Sequence, residues 1–328
     1  RTLQGVNSGS VVAGVALTLA APTTSNISGN GFEWQGGNLN ADGKTLTNQG
    51  VFFLTGGNRS VFGGIVNDGA MVETSDYLRA FSNAWLLNNG SLELRTSNWQ
   101  PAAGASGEFM NAGAVLKTTA ATADLWLDTV SHGSWDIQSG VLRLRYLTLD
   151  SSDGSGYTIA NGAALVLEGD TLAGVIKGEN SGVFLISGGM TLANPVTLDI
   201  SGNGVEWQSG DLEASGGPLT NAGLLTLTGG SRAVLGDIVN QGALIETSDY
   251  LRSFSGALIT SSGTLELRTC YWAPASPSSA TFTNTGLLRK TTAASAEFWL
   301  DTVNNGPWNI EAGSLIHRGA TLDSSPGA

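Results

Sequence analysis

The chain has 328 residues, 46 of them Gly, with 41% apolar residues, 13% charged residues and a formal net charge of −12. So little Lys and Glu beside so much Gly, Asn, Thr and Ser excludes a helical protein, while the apolar share is too high for simple disorder. The four lysines form no basic patch for nucleic acid or an anionic membrane, and the acidity suits solubility outside the cell and, at most, a divalent cation.

The chain opens at Arg1, without Met or a signal peptide, and reads as a processed or excised piece of a longer polypeptide. From Ile27 runs ISGNGFEWQ, which returns as ISGNGVEWQ at Ile200. ETSDYLR at Glu73, WLDTV at Trp126 and TLDSS at Thr148 return at Glu246, Trp299 and Thr321, each time 173 residues on. Repetition overrides a domain count based on length, because a solenoid grows by stacking. The expected organisation is two tandem units, residues 1–155 (N-terminally incomplete) and 156–328, continuous with each other; Gly156–Ala173 has no second copy.

A shorter period lies inside each unit. Asn48/Gly50, Asn67/Gly69, Asn88/Gly90 and Asn111/Gly113 mark stations whose glycines are 19, 21 and 23 residues apart. The second unit has Asn221/Gly223, Asn240/Gly242, Asn284/Gly286 and Asn304/Gly306. After each Gly comes an alternating run: in GSLELRT, Leu92 and Leu94 share one face and Glu93 and Arg95 the other. Leu225 and Leu227 do the same around Thr226, as do Leu265 and Leu267. Asn and Gly suit bends that need φ > 0, and stacked Asn side chains are expected to form a hydrogen-bonded ladder. The spacing predicts an all-β fold, a right-handed single-stranded parallel β-helix with coils of about 20 residues. About eight coils per unit at ~4.8 Å would make each unit roughly 38 Å tall.

Taken in chain order, the first candidate is Glu73, with its copy Glu246. It sits four residues after a station Gly, where alternation points it inward; Lys117 and Lys290 share that position. An unpaired buried charge costs several kcal/mol, so the strands are expected to bend outward or shift phase there, with a buried polar site as the other reading. Asp76, Tyr77 and Arg79, copied as Asp249, Tyr250 and Arg252, could hold a sugar acid, or could form a turn with an Asp–Arg pair. The Pro-containing stretch Trp99 to Phe109, copied as Trp272 to Phe282, reads as a surface loop, because Pro cannot donate to a ladder. Trp99 and Trp272 are therefore the expected exposed aromatics for stacking on sugars, while Trp135 falls on the inward parity. Asp150 and Asp153 in LDSSDGSG make a weak calcium loop in a Gly-rich turn. A real loop needs six to eight oxygens, and the copy replaces Asp153 with Pro326. No other cofactor is expected: one Cys and two His argue against zinc or haem. Cys270, at the position of Ser97 in the first copy, reads as a buried, inert thiol. His132 and His317 are not equivalent positions, which argues against a Ser/His/Asp centre repeated in each unit.

The NxG-x-L-x-L stations and phrases such as SWDIQSGVLRL resemble the β-strand repeats of very large bacterial surface proteins, among them autotransporter passengers and filamentous-haemagglutinin-like adhesins. The resemblance covers nearly the whole chain. It implies a β-helix exported to the cell surface for adhesion or matrix building, and it carries over no catalytic residues. The expected function is thus a structural or adhesive, non-catalytic module of an extracellular fibre, sheath or giant surface protein. The alternative is a polysaccharide-binding or polysaccharide-cleaving β-helix. Expected partners are copies of the chain itself, head to tail along the axis, and extracellular polysaccharide; no apolar stretch is long enough to span a bilayer.

Overall fold

Residues that alternate between apolar and polar bury one face of an extended chain and leave the other to water. Runs such as Ser91–Leu94 and Leu224–Leu227 therefore form strands with both Leu side chains on one side. The computed structural model describes residues 1–7, 9, 11–75, 78–146, 148–248, 251–276, 278–318 and 321–324. Among these, every regular element is a strand. The strands pair in parallel as a β-solenoid, with coils of about 21 residues and about 15 turns in all. Two compact units are distinguished, Arg1–Val166 and Leu167–Ala328.

In the first unit a coil holds three short strands, for example Ala84–Asn88, Ser91–Leu94 and Ser97–Pro101. Each pairs with its counterpart one coil on: Asn88 lies opposite Asn111, Leu92 opposite Val115, and Ser97 opposite Ala123. The interior is a set of columns. Phe52, Met71, Leu92, Val115, Trp135 and Tyr157 follow one another in register, all buried. The Trp135 and Tyr157 rings stack at 6.1 Å. The second unit repeats the scheme, with Leu225, Leu244, Leu265 and Leu288 in one buried column. Leu94 and Leu267 are buried as the alternation requires.

The expected Asn ladder is present. Asn48 Nδ2 donates to Asn67 Oδ1 at 2.7 Å, Asn67 to Asn88 at 2.7 Å, and Asn88 to Asn111 at 2.8 Å. In the second unit Asn221 donates to Asn240 at 2.8 Å, and Asn284 to Asn304 at 2.7 Å. Each of these Asn side chains is buried; within the runs the Asn of the next coil replaces lost water, and where Ser follows, Asn240 donates to Ser261 Oγ at 3.1 Å. The station glycines serve a different purpose from the one the sequence suggests. Their φ angles are not left-handed; a Cβ on Gly90 would instead lie 2.0 Å from the carbonyl oxygen of Gly69 in the preceding coil. Close approach of two backbones, not a bend with φ > 0, is what demands glycine here.

Two loop expectations are corrected. The expected loop Trp99 to Phe109 is strand at both ends, Ser97–Pro101 with the Pro at the last position and Gly107–Asn111, and only residues 102–106 between them leave the strands; Cys270–Pro274 and Thr281–Asn284 bound the copy likewise. Beyond Pro101 the ladder continues through the Ala102 N–H, which donates to Phe81 O at 2.6 Å, so the missing donor is tolerated at the strand end. Thr148–Ile159 is one long strand, not a turn; it pairs first with Asp128–Ser131 and then with Ser134–Ile137, so the chain takes the coil corner without leaving extended geometry.

Candidate functional site

Glu73 ends the strand Ala70–Glu73, and Arg79 lies in the following strand Leu78–Phe81, across one coil corner. The register Leu54–Glu73–Leu94–Lys117–Ile137 is unbroken, so both Glu73 and Lys117 point into the interior and are fully buried. The expected outward bend or phase shift is therefore wrong at all four positions: Glu246 and Lys290 are buried in the same way. The physical reason is that each charge finds partners inside.

The Glu73 carboxylate accepts five hydrogen bonds. Arg79 donates from Nε at 3.0 Å and from Nη2 at 2.9 Å, Ser75 from its backbone N–H and its Oγ at 3.1 Å each, and Trp99 from Nε1 at 3.2 Å. Arg79 is equally committed: Nη1 donates to Gly57 O at 3.0 Å and Nη2 to Ser75 Oγ at 2.6 Å. The cluster thus ties its own coil to the coil before, through Gly57, and to the coil after, through Trp99. The second unit reproduces it. Arg252 forks onto Glu246 at 3.0 and 2.9 Å, Trp272 Nε1 donates at 3.1 Å, and Arg252 Nη1 reaches Gly230 O at 2.7 Å. Burial pushes both carboxyls above their ordinary value, while the guanidinium, indole and serine donors pull them back down.

One coil earlier, Arg59 lies in register with Arg79. Its guanidinium stacks over the Trp34 ring at 4.5 Å and donates to Trp34 O at 2.6 Å and Gln35 O at 3.1 Å. Arg232 does the same over Trp207 at 4.6 Å. Burial, and then the charge of Arg79, lowers the Arg59 pKa to about 10, which still leaves it protonated at neutral pH. Lys117 donates to Thr119 O, to Thr119 Oγ1 at 3.2 Å and to Ser139 O at 3.3 Å; Lys290 repeats the Thr contacts at Thr292. Burial holds both lysine pKa values below the ordinary one.

Several expected site residues are relocated by this geometry. Trp99 and Trp272 are buried, not exposed, and their indole N–H groups serve Glu73 and Glu246. Arg79 and Arg252 are also buried, and the fork that would grip a sugar acid is already filled by Glu73 and Glu246. Asp76, Tyr77, Asp249 and Tyr250 lie outside the described residues, as does the side chain of Asp153. Asp150 accepts from the Ser152 N–H at 2.9 Å and from the Ser152 hydroxyl. Among the described residues, no three or more His, Cys, Asp or Glu side chains gather as a metal site. Cys270 is buried, and burial together with Glu246 raises its thiol well above the ordinary value.

Sequence reasoning missed an outward aromatic. Trp126 sits between Leu125 and Leu127, both buried, so alternation turns Trp126 to the surface; its copy Trp299 is 37% exposed. That flanking pattern was the available signal. No family model matches the chain, and neither a curated protein nor a solved structure matches it.

Proposed function

We propose that this chain is a structural and adhesive module of a bacterial extracellular fibre, sheath or giant surface protein, and that it is not an enzyme. The observation that carries the reading is how the buried charge is used. A catalytic acid or base must offer a proton or an open lone pair to a substrate. The carboxylates of Glu73 and Glu246 instead accept hydrogen bonds from their own coil and the next one. Two matching staples 173 residues apart suit a chain whose task is to stay stacked. The mechanism is mechanical: backbone ladders and Asn ladders between neighbouring coils resist bending and pulling, and repeats set the length.

Open edges of parallel strands pair readily with further strands. Head-to-tail contact between copies would be heterologous and open, and so would build filaments. Static light scattering and electron microscopy of the purified chain test this: concentration-dependent filaments are expected. A monodisperse monomer at every concentration would remove self-assembly and leave adhesion alone. Turnover of an acidic polysaccharide by the purified chain would overturn the non-catalytic reading. Polysaccharide binding stands as a second reading on one observation, the outward Trp126 and Trp299.

A further inference from the structure

At matching levels of the two units an outward indole, Trp126 and its copy Trp299, stands at the solenoid surface. Trp126 follows the strand Thr122–Leu125, and Trp299 follows Ser295–Phe298. The backbone N–H of each donates to the inward Trp one coil earlier, Trp126 to Trp99 O and Trp299 to Trp272 O, both at 2.8 Å. The residues outward of those levels in the preceding coils are small or polar: Gln100 and Ala80 in the first unit, Ala273 and Ser253 in the second. Trp126 therefore stands beside a low shelf, while beside Trp299 that preceding coil also holds Tyr271.

The same chemistry is gathered around both rings. Arg145 in the next coil lies over Trp126 at 5.1 Å and 3.4 Å from Asp124; Arg318 lies over Trp299 at 5.9 Å and 3.2 Å from Glu297. A tyrosine completes each group, but it comes from different directions. Tyr146, in the coil after, tilts against Trp126 at 5.9 Å; Tyr271, in the coil before, meets Trp299 edge-on at 6.1 Å. Core packing does not require this, because Tyr146 is 71% exposed. Tyr146 also sits at φ 49°, a left-handed conformation that bulky residues rarely adopt. Two copies thus converge on one composition, an aromatic pair with a guanidinium and a carboxylate, through unrelated tyrosines.

A pyranose ring has a C–H face that stacks on an indole and a rim of hydroxyls that bond to a carboxylate and a guanidinium. The formal charge of −12 opposes a polyanion. We propose that Trp126 and Trp299, each on the ring face that its guanidinium does not cover, are the stacking platforms of two related surface sites for a neutral glycan. The inference deepens the adhesive part of the function proposed above and rests on it; filaments that form without binding sugar would leave the rod standing and sink the glycan site.

The test is calorimetric titration of the intact chain with cellohexaose, chitohexaose and mannohexaose, and with polygalacturonate as the acidic arm. Saturable binding of at least one neutral hexasaccharide at two sites per chain is expected. Trp126→Ala and Trp299→Ala should each halve the stoichiometry, and the double variant should weaken binding by about tenfold or more, with an unchanged circular dichroism spectrum. Trp85→Ala removes another outward indole, one whose partner in the preceding coil is Gly64, and should leave binding intact. Silence toward all three neutral sugars, equal binding by the double variant, or binding of polygalacturonate alone would each overturn the proposal.

Discussion

A carboxylate with no exposed surface keeps its charge only where donors from the protein replace water. Around Glu73 they do, and the consequence is asymmetric. Glu73→Leu would leave the Arg79 guanidinium buried without a counter-charge, at a cost of about 3–5 kcal/mol. Glu73→Leu combined with Arg79→Leu removes both charges together and should lose less than either single change. Urea denaturation of the three variants measures the cycle; a double variant as unstable as the sum of the singles would show that the two charges act independently. Tyr157 gives a pH-dependent counterpart. It is fully buried, and desolvation raises its pKa to about 12, against about 10 in an unfolded chain. The folded state then holds the phenolic proton through a window in which the unfolded state releases it. The stability it contributes is complete below pH 10 and is lost as pH climbs toward 12, on the order of 2–3 kcal/mol in all. Tyr157→Phe keeps the stack on Trp135 and should flatten the fall in melting temperature between those two pH values relative to the native chain.

At the level of the strand and turn, glycine is where the coil is least forgiving. A methyl on Gly90 would meet the Gly69 carbonyl oxygen at 2.0 Å, which only a backbone shift can relieve. Gly90→Ala should therefore cost about 1–3 kcal/mol or more. Gly230, in the turn before Arg232–Leu235, has open space within 4 Å of where a Cβ would stand and no left-handed φ. Gly230→Ala should stay within about 0.5 kcal/mol of the native chain, or stabilise it slightly by restricting the unfolded state. Equal losses in the two variants would mean that the coils are less closely stacked than the distances say. The strands themselves were legible in the sequence, because alternation is local: Leu92 and Leu94 needed only each other and the preceding Gly to be placed inward. The Asn ladder followed from the station spacing for the same reason. What could not be read was any partner across a corner. Glu73 and Arg79 are six residues apart with a turn between them, and nothing in their spacing says that both side chains turn inward and meet. Trp99 was misplaced by its neighbour Pro101, which ends a strand here and does not break one. Trp126 was legible, because alternation between two inward leucines is enough to place it outward.

Across the molecule, stability in a stacked chain is a sum of coil terms and nearest-neighbour terms. Every strand register described within a unit joins one coil to the next, and the Asn ladder and the Glu–Arg–Trp cluster also reach one coil only. Damage should accordingly stay local. Glu73→Gln in the first unit and Glu246→Gln in the second share no hydrogen-bonding partner. Their effects should add within about 0.5 kcal/mol in the double variant. Because stability in a repeat array is distributed over its coils, a single melting temperature does not say where it was lost. Hydrogen exchange followed by mass spectrometry resolves the question peptide by peptide. For Glu73→Gln, protection should fall in the strands Val51–Leu54 through Ser97–Pro101 and stay at the native level in Leu224–Leu227 through Cys270–Pro274. For Glu246→Gln the two regions should exchange roles. Protection lost in both regions from either single change would mean that the chain unfolds as one cooperative body, and the nearest-neighbour description would then fail for this solenoid.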